Sequence, residues 1–323
     1  MAGTKTTVRE HEVELVVESA ARVAEGVVAL TLVDPDGGTL PPWTPGAHVD
    51  LQLGELVRQY SLCGDPADSG SYTVAVLREP GSRGGSSYVH EQLVVGSRVT
   101  VRGPRNHFAL VSSPRYRFVA GGIGITPLLP MIAEAEATGA DWHLWYRGRA
   151  RAGMAYLDRL AEYGDRVTLL PGDETGPLEL AAVLADPSDD TVVYTCGPER
   201  LLDGIQEICT ASWPASALHL ERFTAREIEA PAGGERSFEL ELAASGVTLT
   251  VPPDRSIFNV ILDAGISVLG SCHEGVCGTC EQIVLEGEVD HRDSVLSASE
   301  QAANDAMMVC VSRCLSDRLV LDM

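Results

Sequence analysis

Apolar and polar residues alternate over short stretches in the first third of the chain, which predicts β-strands. Segments such as "HEVELVVES", "GVVALTLVD" and "SYTVAVLRE" are separated by turns that contain glycine or proline. A short helical pattern begins at Ser86. Short strands at close spacing favour an antiparallel β-barrel, and we expect this domain to span residues 1–113.

The hydrophobic rhythm changes between residues 114 and 224. Apolar strand patterns such as "YRFVAGG", "DWHLWYR" and "TVVYTC" alternate there with helical patterns. This alternation is typical of a parallel sheet covered by helices, so we expect an α/β domain. The first helix is predicted to begin at Thr126, with Thr126 as N-cap and Pro127 in the first helical position.

A polar run, "TAREIEAPAGGERS", separates the second domain from the rest of the chain. Its proline and paired glycines indicate a linker, which we place at residues 225–236. A third unit, residues 237–323, contains strand patterns near 237–242 and 247–251 and a helical pattern near 255–265. A loop rich in cysteine follows.

The cysteine loop reads "GSCHEGVCGTC" and carries the most specific chemistry of the sequence. Cys272, Cys277 and Cys280 are followed by Cys310 at a distance, which is the C-x4-C-x2-C…C spacing of a plant-type 2Fe-2S cluster. Neighbouring glycines allow a tight loop whose amides point inward. We therefore predict that these four cysteines bind a 2Fe-2S cluster.

Other interpretations of these cysteines remain open at this stage. Zinc is the main rival, although structural zinc sites usually use two short Cys/His pairs. Cys314 lies four residues after Cys310 and could replace it. A Rieske-type site through His273 is disfavoured, because such a site needs two Cys-x-His pairs and only one histidine is present here.

Two motifs in the first domain indicate a flat cofactor that carries a phosphate. In "RQYS", strand alternation places Arg58 and Tyr60 on one side and Gln59 and Ser61 on the other. An arginine suits a phosphate, a tyrosine ring suits a heterocycle, and Ser61 can donate to a ring nitrogen. The second motif, Arg83–Ser86, places two glycines before a helix, where anions bind. Either motif alone is also compatible with an ordinary strand or turn.

The second domain carries two glycine-containing turns that each connect a strand to a helix. The first is "GGIGITP", with Gly121, Gly122 and Gly124, and the second is Cys196-Gly197-Pro198. Two such turns at one edge of a parallel sheet form the usual crevice for a dinucleotide. We expect the glycines to allow the backbone to approach a pyrophosphate.

The strand that ends in "WYRGRARAG" offers residues for the adenosine half of a dinucleotide. Tyr146 and Arg147 lie at its end, and Arg149 and Arg151 follow. Three arginines could bind a 2′-phosphate and would favour NADPH, whereas Asp173 argues weakly for NADH. They could equally be solvated loop charges.

Charge and composition exclude several classes of function. The 323 residues carry a net charge of −22, which argues against nucleic acid or an anionic membrane as a partner. No apolar run reaches the length of a membrane helix, and the N-terminus lacks the apolar segment of a secretory signal. We therefore expect a cytoplasmic protein, in which eight cysteines serve metal or redox chemistry rather than disulfides.

Taken in order, the four motifs resemble the phthalate dioxygenase reductase family, which includes vanillate demethylase reductases. The resemblance covers essentially the whole chain and implies three domains: an antiparallel β-barrel that binds FMN, an α/β domain that binds NAD(P)H, and an α+β ferredoxin-like (β-grasp) iron–sulfur domain. The sequence reads "SRGGS" where the family pattern has Gly-Arg-Gly-Gly-Ser, so Ser82 is a mild departure.

The resemblance also implies roles for individual residues. Ser61, Cys196 and Phe223 would lie at the reacting rings, with Cys196 near the nicotinamide and Phe223 shielding the flavin. The remaining cofactor-binding positions implied for the flavin are Arg58, Gln59, Tyr60, Ala75, Leu77, Arg83, Gly84, Gly85 and Ser86. Those implied for the nucleotide are Gly121, Gly122, Gly124, Thr126, Pro127, Tyr146, Arg147, Gly197 and Pro198.

The expected function is that of an iron–sulfur flavoprotein reductase. It would accept hydride from NADH, or from NADPH, and pass single electrons to a separate oxygenase, of the Rieske or O-demethylase type. We expect a monomer. A haem-thiolate monooxygenase is an alternative partner, and a redox sensor or a zinc-stapled binding module is an alternative class.

Overall fold

The structure, a computed structural model, describes residues 11–81, 84–225 and 234–323. The chain divides into two compact units, residues 1–221 and residues 222–323. Most of the predicted linker, residues 226–233, lies outside the described residues, as do Ser82 and Arg83. The boundaries proposed for three domains therefore remain predictions.

The first part of unit one is an antiparallel sheet that curls into a barrel. Its strands have the order β4-β3-β6-β1-β2-β5. A bridge between Leu62 and Val74 joins the ends of β4 and β5 and closes the barrel. The elements are β1 (Glu12–Ala24), β2 (Val27–Val33), β3 (His48–Leu53), β4 (Leu56–Ser61), β5 (Ser71–Leu77), α1 (Gly85–Gln92) and β6 (Arg98–Arg105).

The second part of unit one is a five-stranded parallel sheet in the order β11-β10-β7-β8-β9. Because β8 and β10 flank β7 on opposite sides, the strand order reverses beside β7, and a crevice forms beyond the carboxyl ends there. The elements are β7 (Arg115–Gly121), α2 (Ile125–Ala137), β8 (Asp141–Gly148), α3 (Leu157–Ala161), β9 (Val167–Pro171), α4 (Leu180–Val183), β10 (Thr191–Cys196), α5 (Glu199–Ser212) and β11 (Leu218–Glu221).

The start of α2 corrects one prediction. The helix begins at Ile125 with Gly124 as N-cap, so Thr126 is not the cap. A 3-10 turn, Gly122–Gly124, leads directly into the helix. The hydroxyl of Thr126 donates instead to the carbonyl of Ile123 at 2.9 Å, because Thr126 already lies in the first turn.

Contacts between the barrel and the parallel sheet fix the relative position of the two parts of unit one. The thiol of Cys63, two residues after β4, lies 3.3 Å from the hydroxyl of Tyr156. Arg159 donates to the Cys63 carbonyl at 3.0 Å. Since Cys63 lies two residues after the "RQYS" strand, these two contacts hold that strand against the nucleotide domain.

Unit two is a mixed sheet in the order β13-β12-β18-β14-β16, with a separate two-stranded pair, β15-β17. Four apolar residues of α6, which begins after the N-cap Ser256, pack into the same core as the strands. The elements are β12 (Phe238–Leu242), β13 (Val247–Val251), α6 (Ile257–Asp263), β14 (Glu281–Glu286), β15 (Val289–Asp290), α7 (Ala298–Ala303), β16 (Ala306–Met308), β17 (Arg313–Cys314) and β18 (Arg318–Leu321).

The three sheets confirm the predicted fold class: an antiparallel barrel, a parallel α/β sheet, and an α+β unit of the ferredoxin type. Within the described ranges, no helix combines the length and the apolar character that a bilayer-spanning segment needs.

Candidate functional site

The guanidinium-bearing side chain of Arg58 lies against the N-terminus of α1. A Cβ added at Gly85, the first residue of α1, would lie only 2.6 Å from Cγ of Arg58, so this contact requires glycine. Gly84, just before the helix, has φ = +92°, which also favours glycine. Nη1 of Arg58 donates to the Val57 carbonyl at 2.8 Å, so a cationic side chain is held beside the amides that begin α1, and such an arrangement suits a phosphate.

The rest of the "RQYS" strand offers a surface for a flat ring. Tyr60 pairs with Val49 and Gln59 with Asp50, so the alternation that the sequence predicts is present. Burial raises the pKa of Tyr60 to about 12, and its phenol therefore stays protonated. The side-chain nitrogen of Gln59 is buried without a hydrogen-bond partner in the described structure, so it can serve a ligand.

Further predicted flavin positions surround this cradle. Ala75 and Leu77 lie on β5, shortly after Val74, the residue whose bridge to Leu62 closes the barrel. Ser86 accepts a hydrogen bond from the amide of Glu79 at 3.1 Å, which ties α1 to the strand before it. Arg83 lies outside the described residues. The described residues therefore fit FMN in the expected place.

The end of the "RQYS" strand reaches a carboxylate that the sequence analysis missed. The side chain of Ser61 lies within hydrogen-bonding reach of Glu221, the last residue of β11. Burial raises the pKa of Glu221 to about 8, and the hydrogen bond from Ser61 opposes this rise. Oε2 of Glu221 is buried with no partner among the described residues. Ser61 and Glu221 thus join the flavin cradle to the nucleotide sheet.

The nucleotide crevice is formed by two turns in very close contact. A Cβ at Gly124 would lie 2.3 Å from the carbonyl oxygen of Cys196, and one at Gly197 would lie 2.9 Å from Cα of Gly121. Side chains at these positions would force the loops after β7 and β10 apart. The glycines therefore expose backbone at the switch point of the sheet, as a dinucleotide pyrophosphate requires.

Cys196 lies next to Glu221 in the register of β10 and β11. Its side chain is fully buried, and burial, followed by the nearby Glu221 charge, raises the pKa of its thiol well above the usual range. Cys196 is therefore a neutral thiol rather than a nucleophile. Pro198 is the N-cap of α5, so this turn also presents a helix N-terminus to the crevice.

The structure does not bring the ring of Tyr146 to the crevice. This side chain is 0% exposed and its hydroxyl accepts a hydrogen bond from the amide of Ala155 at 3.0 Å, so it belongs to the core. Arg147 does lie at the strand end, where it donates to Thr175 Oγ1 at 3.2 Å and to the Gly176 carbonyl at 2.6 Å. Thr126 and Pro127 are buried in α2.

Phe223 is 42% exposed and belongs to the second unit. The role that the resemblance implies for it, shielding the flavin, remains a prediction.

The four predicted cluster ligands converge in unit two. Cys272 lies close enough to Cys277 and Cys310, and Cys310 close enough to Cys280, for each pair to influence the pKa of its thiols. Across the described residues, no three His, Cys, Asp or Glu side chains form a site for one metal ion. Cys314 points elsewhere, with its sulfur 3.1 Å from the hydroxyl of Ser316.

The loop that carries the thiols supplies amide donors to sulfur. The amide of Glu274 lies 3.3 Å from the sulfur of Cys272, and that of Thr279 lies 3.4 Å from the sulfur of Cys277. Gly275 and Gly278 have φ of +70° and +74°, which allows the tight turns. Amide–sulfur bonds stabilise charge on a cluster and tune its potential, so the loop fits a 2Fe-2S group.

Together, the flavin cradle, the nucleotide crevice and the thiol loop define an iron–sulfur flavoprotein reductase.

Comparison with known proteins supports this assignment. The family model described as a 2Fe-2S iron-sulfur cluster binding domain matches residues 240–315, which include all four cysteines. The chain is 44% identical over 314 residues to the phenoxybenzoate dioxygenase subunit beta of Ectopseudomonas oleovorans, covering 96% of this chain and 97% of that protein.

Two solved structures extend the comparison. Phthalate dioxygenase reductase is 35% identical, with a TM-score of 0.70 over 97% of this chain and 98% of that chain. An intact type IV self-sufficient cytochrome P450 monooxygenase is 46% identical, with a TM-score of 0.91 over 96% of this chain but 41% of that chain. The chain belongs to the phthalate dioxygenase reductase family. It is the reductase component of an oxygenase system and uses FMN, NAD(P)H and a 2Fe-2S cluster.

Proposed function

We propose that electrons enter at the crevice between Gly121 and Gly197, cross at Ser61, and leave through the four-cysteine loop to a separate oxygenase. The observation that carries this route is the contact between Ser61, at the end of the flavin strand, and Glu221, beside Cys196 in the nucleotide sheet. This contact marks where the two cofactor sites of unit one meet.

The flavin is the group that accepts hydride from a nicotinamide and can release electrons singly, as an iron–sulfur cluster requires. The residues around its site bind, orient and exclude water. Arg58 and the start of α1 hold the phosphate, and Tyr60 supports the ring. The amides of Glu274 and Thr279 lower the cost of adding an electron to the cluster.

Glu221 supplies a proton-holding group at the meeting point. With a pKa raised by burial to about 8, its carboxyl is protonated near neutral pH. The free Oε2 can hold that proton, while the other oxygen accepts from Ser61. The neutral acid therefore orients the Ser61 hydroxyl without placing a negative charge against an incoming hydride.

The partner in this proposal is a Rieske oxygenase, either an aromatic-ring dioxygenase or an O-demethylase. A relative at 44% identity is named as a dioxygenase subunit. A haem-thiolate monooxygenase is a second candidate, because a self-sufficient cytochrome P450 contains a region 46% identical to this chain. We further propose a cytoplasmic monomer, since its thiols must stay reduced and its reductant is intracellular.

NADH rather than NADPH is the proposed reductant, because Arg147 and Arg151, two of the three arginines near the adenosine end, already have partners. Arg151 pairs with Glu174 through two hydrogen bonds of 2.7 and 2.6 Å, and its amide donates to Asp173 at 3.2 Å. A 2′-phosphate placed there would meet both carboxylates. The two acids oppose the phosphate that Arg151 would otherwise attract.

Glu174→Gln tests the preference for NADH. The change frees Arg151, so we expect the ratio of kcat/KM for NADH to that for NADPH to fall by about threefold to tenfold, as loss of one exposed carboxylate allows. Glu162→Gln removes the same charge at another exposed site and should leave the ratio unchanged. Equal ratios in the two variants would contradict the assignment.

An anaerobic titration with NADH tests the whole route. Visible absorbance should show that flavin and cluster bands bleach together, and low-temperature electron paramagnetic resonance should show a reduced 2Fe-2S signal. Bleaching of the flavin alone would mean that electrons do not reach the four-cysteine site. Purified candidate oxygenases, Rieske and haem-thiolate, would then be compared as acceptors.

A further inference from the structure

Glu235, where the described chain resumes after the linker, forms an ionic cluster with two arginines. Its Oε1 accepts from Arg292 Nη1 at 2.7 Å, and its Oε2 accepts from Arg313 Nε at 2.9 Å. A second bond from Arg292 Nη2 measures 3.2 Å. The side chains of Glu235, Arg292 and Arg313 are 23%, 14% and 8% exposed, so water screens the three charges poorly.

The two arginines differ in their other partners. Arg292 also pairs with Asp290. Arg313 donates to three backbone carbonyls, those of Arg255, Pro252 and Arg236, at 2.7 to 3.1 Å. Its guanidinium lies 5.3 Å from the ring centroid of Phe238. Carbonyls and a ring solvate the Arg313 cation, but Glu235 is the group that neutralises it.

The chain segments that carry the two arginines are connected to the thiol loop. Arg313 is three residues after Cys310. Arg292 precedes Asp293, whose Cα lies 3.1 Å from the point that a Cβ would occupy if Gly275 carried a side chain. The next residue, Ser294, donates its amide hydrogen to the Gly275 carbonyl at 2.8 Å. The chain next to Arg292 thus packs on the thiol loop, and both arginine side chains are largely withdrawn from water, which favours an electrostatic effect on the loop.

We propose that Glu235 is a positioning residue that sets the reduction potential of the cluster site by neutralising Arg292 and Arg313. Reduction adds negative charge at the thiol loop. An arginine cation that Glu235 no longer neutralises would therefore stabilise the reduced state. With Glu235 in place the potential is held low, where the cluster can reduce its partner. The inference rests on the proposed function, because it assumes that a 2Fe-2S cluster occupies this loop.

The test is a redox titration of the full-length holoprotein, with the reduced cluster followed by electron paramagnetic resonance. Glu235→Gln should shift the midpoint to a more positive potential. At the wild-type midpoint, the ratio of reduced to oxidised cluster should rise about threefold or more. Glu235→Asp keeps the charge and should restore a midpoint close to that of the wild type.

Asp317→Asn is the matched control. It makes the same change in net charge in the same unit, but its ion pair with Arg236 is exposed, at 3.2 Å with side chains 99% and 52% exposed. Solvent screens this pair, so we expect no shift. A shift of equal size in Asp317→Asn and Glu235→Gln would overturn the proposal, because net charge alone would then explain it.

Arg292→Gln provides a second variant in case Glu235→Gln does not fold. It removes a cation and should shift the midpoint in the opposite direction, to a more negative potential. Shifts of the same sign in both variants would indicate general disruption and overturn the proposal, as would an unchanged midpoint in a folded Glu235→Gln. A wild-type protein without any 2Fe-2S signal would instead contradict the proposed function itself.

Discussion

Glu221 shows how burial changes the chemistry of a single carboxyl group. Glu221 is the last residue of β11, where it lies beside Cys196 of β10. The side chain of Ser61, from the barrel, lies near its carboxyl group. Withdrawal from water penalises the charged form, and one hydroxyl donor compensates only in part. The result is a neutral acid at the point where, in the proposed route, an ionised one would repel an incoming hydride.

Glu221→Gln should change the pH dependence of stability. The folded pKa of about 8 exceeds the usual value of 4.5, so the folded protein keeps a proton that the unfolded chain releases. Wild-type stability therefore falls as pH rises from about 4.5 to about 8. The variant lacks this loss. The melting temperature of the variant minus that of the wild type should therefore increase as the pH rises through this range. Parallel melting curves at all pH values would contradict the raised pKa.

Glu221 could not be found from the sequence, although it stands in "HLERF" two residues before Phe223, which the family resemblance does implicate. Nothing in the local pattern shows that β11 pairs with β10, or that Ser61 approaches from another domain. The available signal was an acid at the carboxyl end of a predicted parallel strand. Tyr146 shows the reverse error, since its position at a strand end suggested a ligand contact but its ring fills the core.

Cysteine-to-serine substitutions should distinguish the fourth ligand of the cluster. Cys310→Ser removes a thiol that lies close to two of the other three, Cys272 and Cys280, so the reduced 2Fe-2S signal should be lost. Cys314→Ser is the control, because its sulfur contacts Ser316 instead and the signal should persist. Retention of the signal in Cys310→Ser together with its loss in Cys314→Ser would reverse the assignment.

At the level of elements, the sequence predicted strands and turns well where a run of alternating apolar and polar residues ended at a glycine. The sheet register confirms the alternation in "RQYS", and both strand-to-helix turns form. The start of α2 was wrong, because threonine followed by proline looks like a cap while a 3-10 turn had already begun the helix. Close packing of Gly124 on Cys196 decided that geometry, and such tertiary contacts leave no local signature.

Gly85→Ala should weaken FMN binding by disturbing the contact between α1 and β4. The added Cβ would lie 2.6 Å from Cγ of Arg58 and would displace its guanidinium from the helix N-terminus. Loss of one charge-assisted phosphate contact predicts an increase in Kd of about tenfold or more, measured by flavin fluorescence quenching on reconstitution of the apoprotein.

Gly81→Ala is the control for this substitution. It lies in the same loop, where an added Cβ meets nothing within 4 Å. FMN affinity should therefore stay at the wild-type value. If both alanine variants bound FMN equally well, the packing of Arg58 on Gly85 would have no part in holding the phosphate.

For the whole molecule, the order of motifs predicted the order of cofactor sites. This was possible because each site uses a short segment, such as "GSCHEGVCGTC", whose spacing is fixed by the group it binds. The ionic cluster of Glu235, Arg292 and Arg313 had no such signature, since its members are far apart in sequence and meet only after folding. Ion pairs between residues that are far apart in sequence could therefore not be predicted from the sequence.

Charge gives the final prediction at this scale. Residues 237–323 carry 14 acidic and 4 basic residues, a net charge of 4 − 14 = −10. Such a unit attracts a basic protein and repels an anion, and salt screens both effects. With NADH as donor, reduction of cytochrome c, used as a basic protein probe, should slow as ionic strength rises. Reduction of the anion ferricyanide should quicken under the same conditions. Parallel responses of the two acceptors would show that the acidic unit does not steer its partner, and the docking would then have to depend on apolar contacts such as the exposed Leu269 beside the cysteine loop.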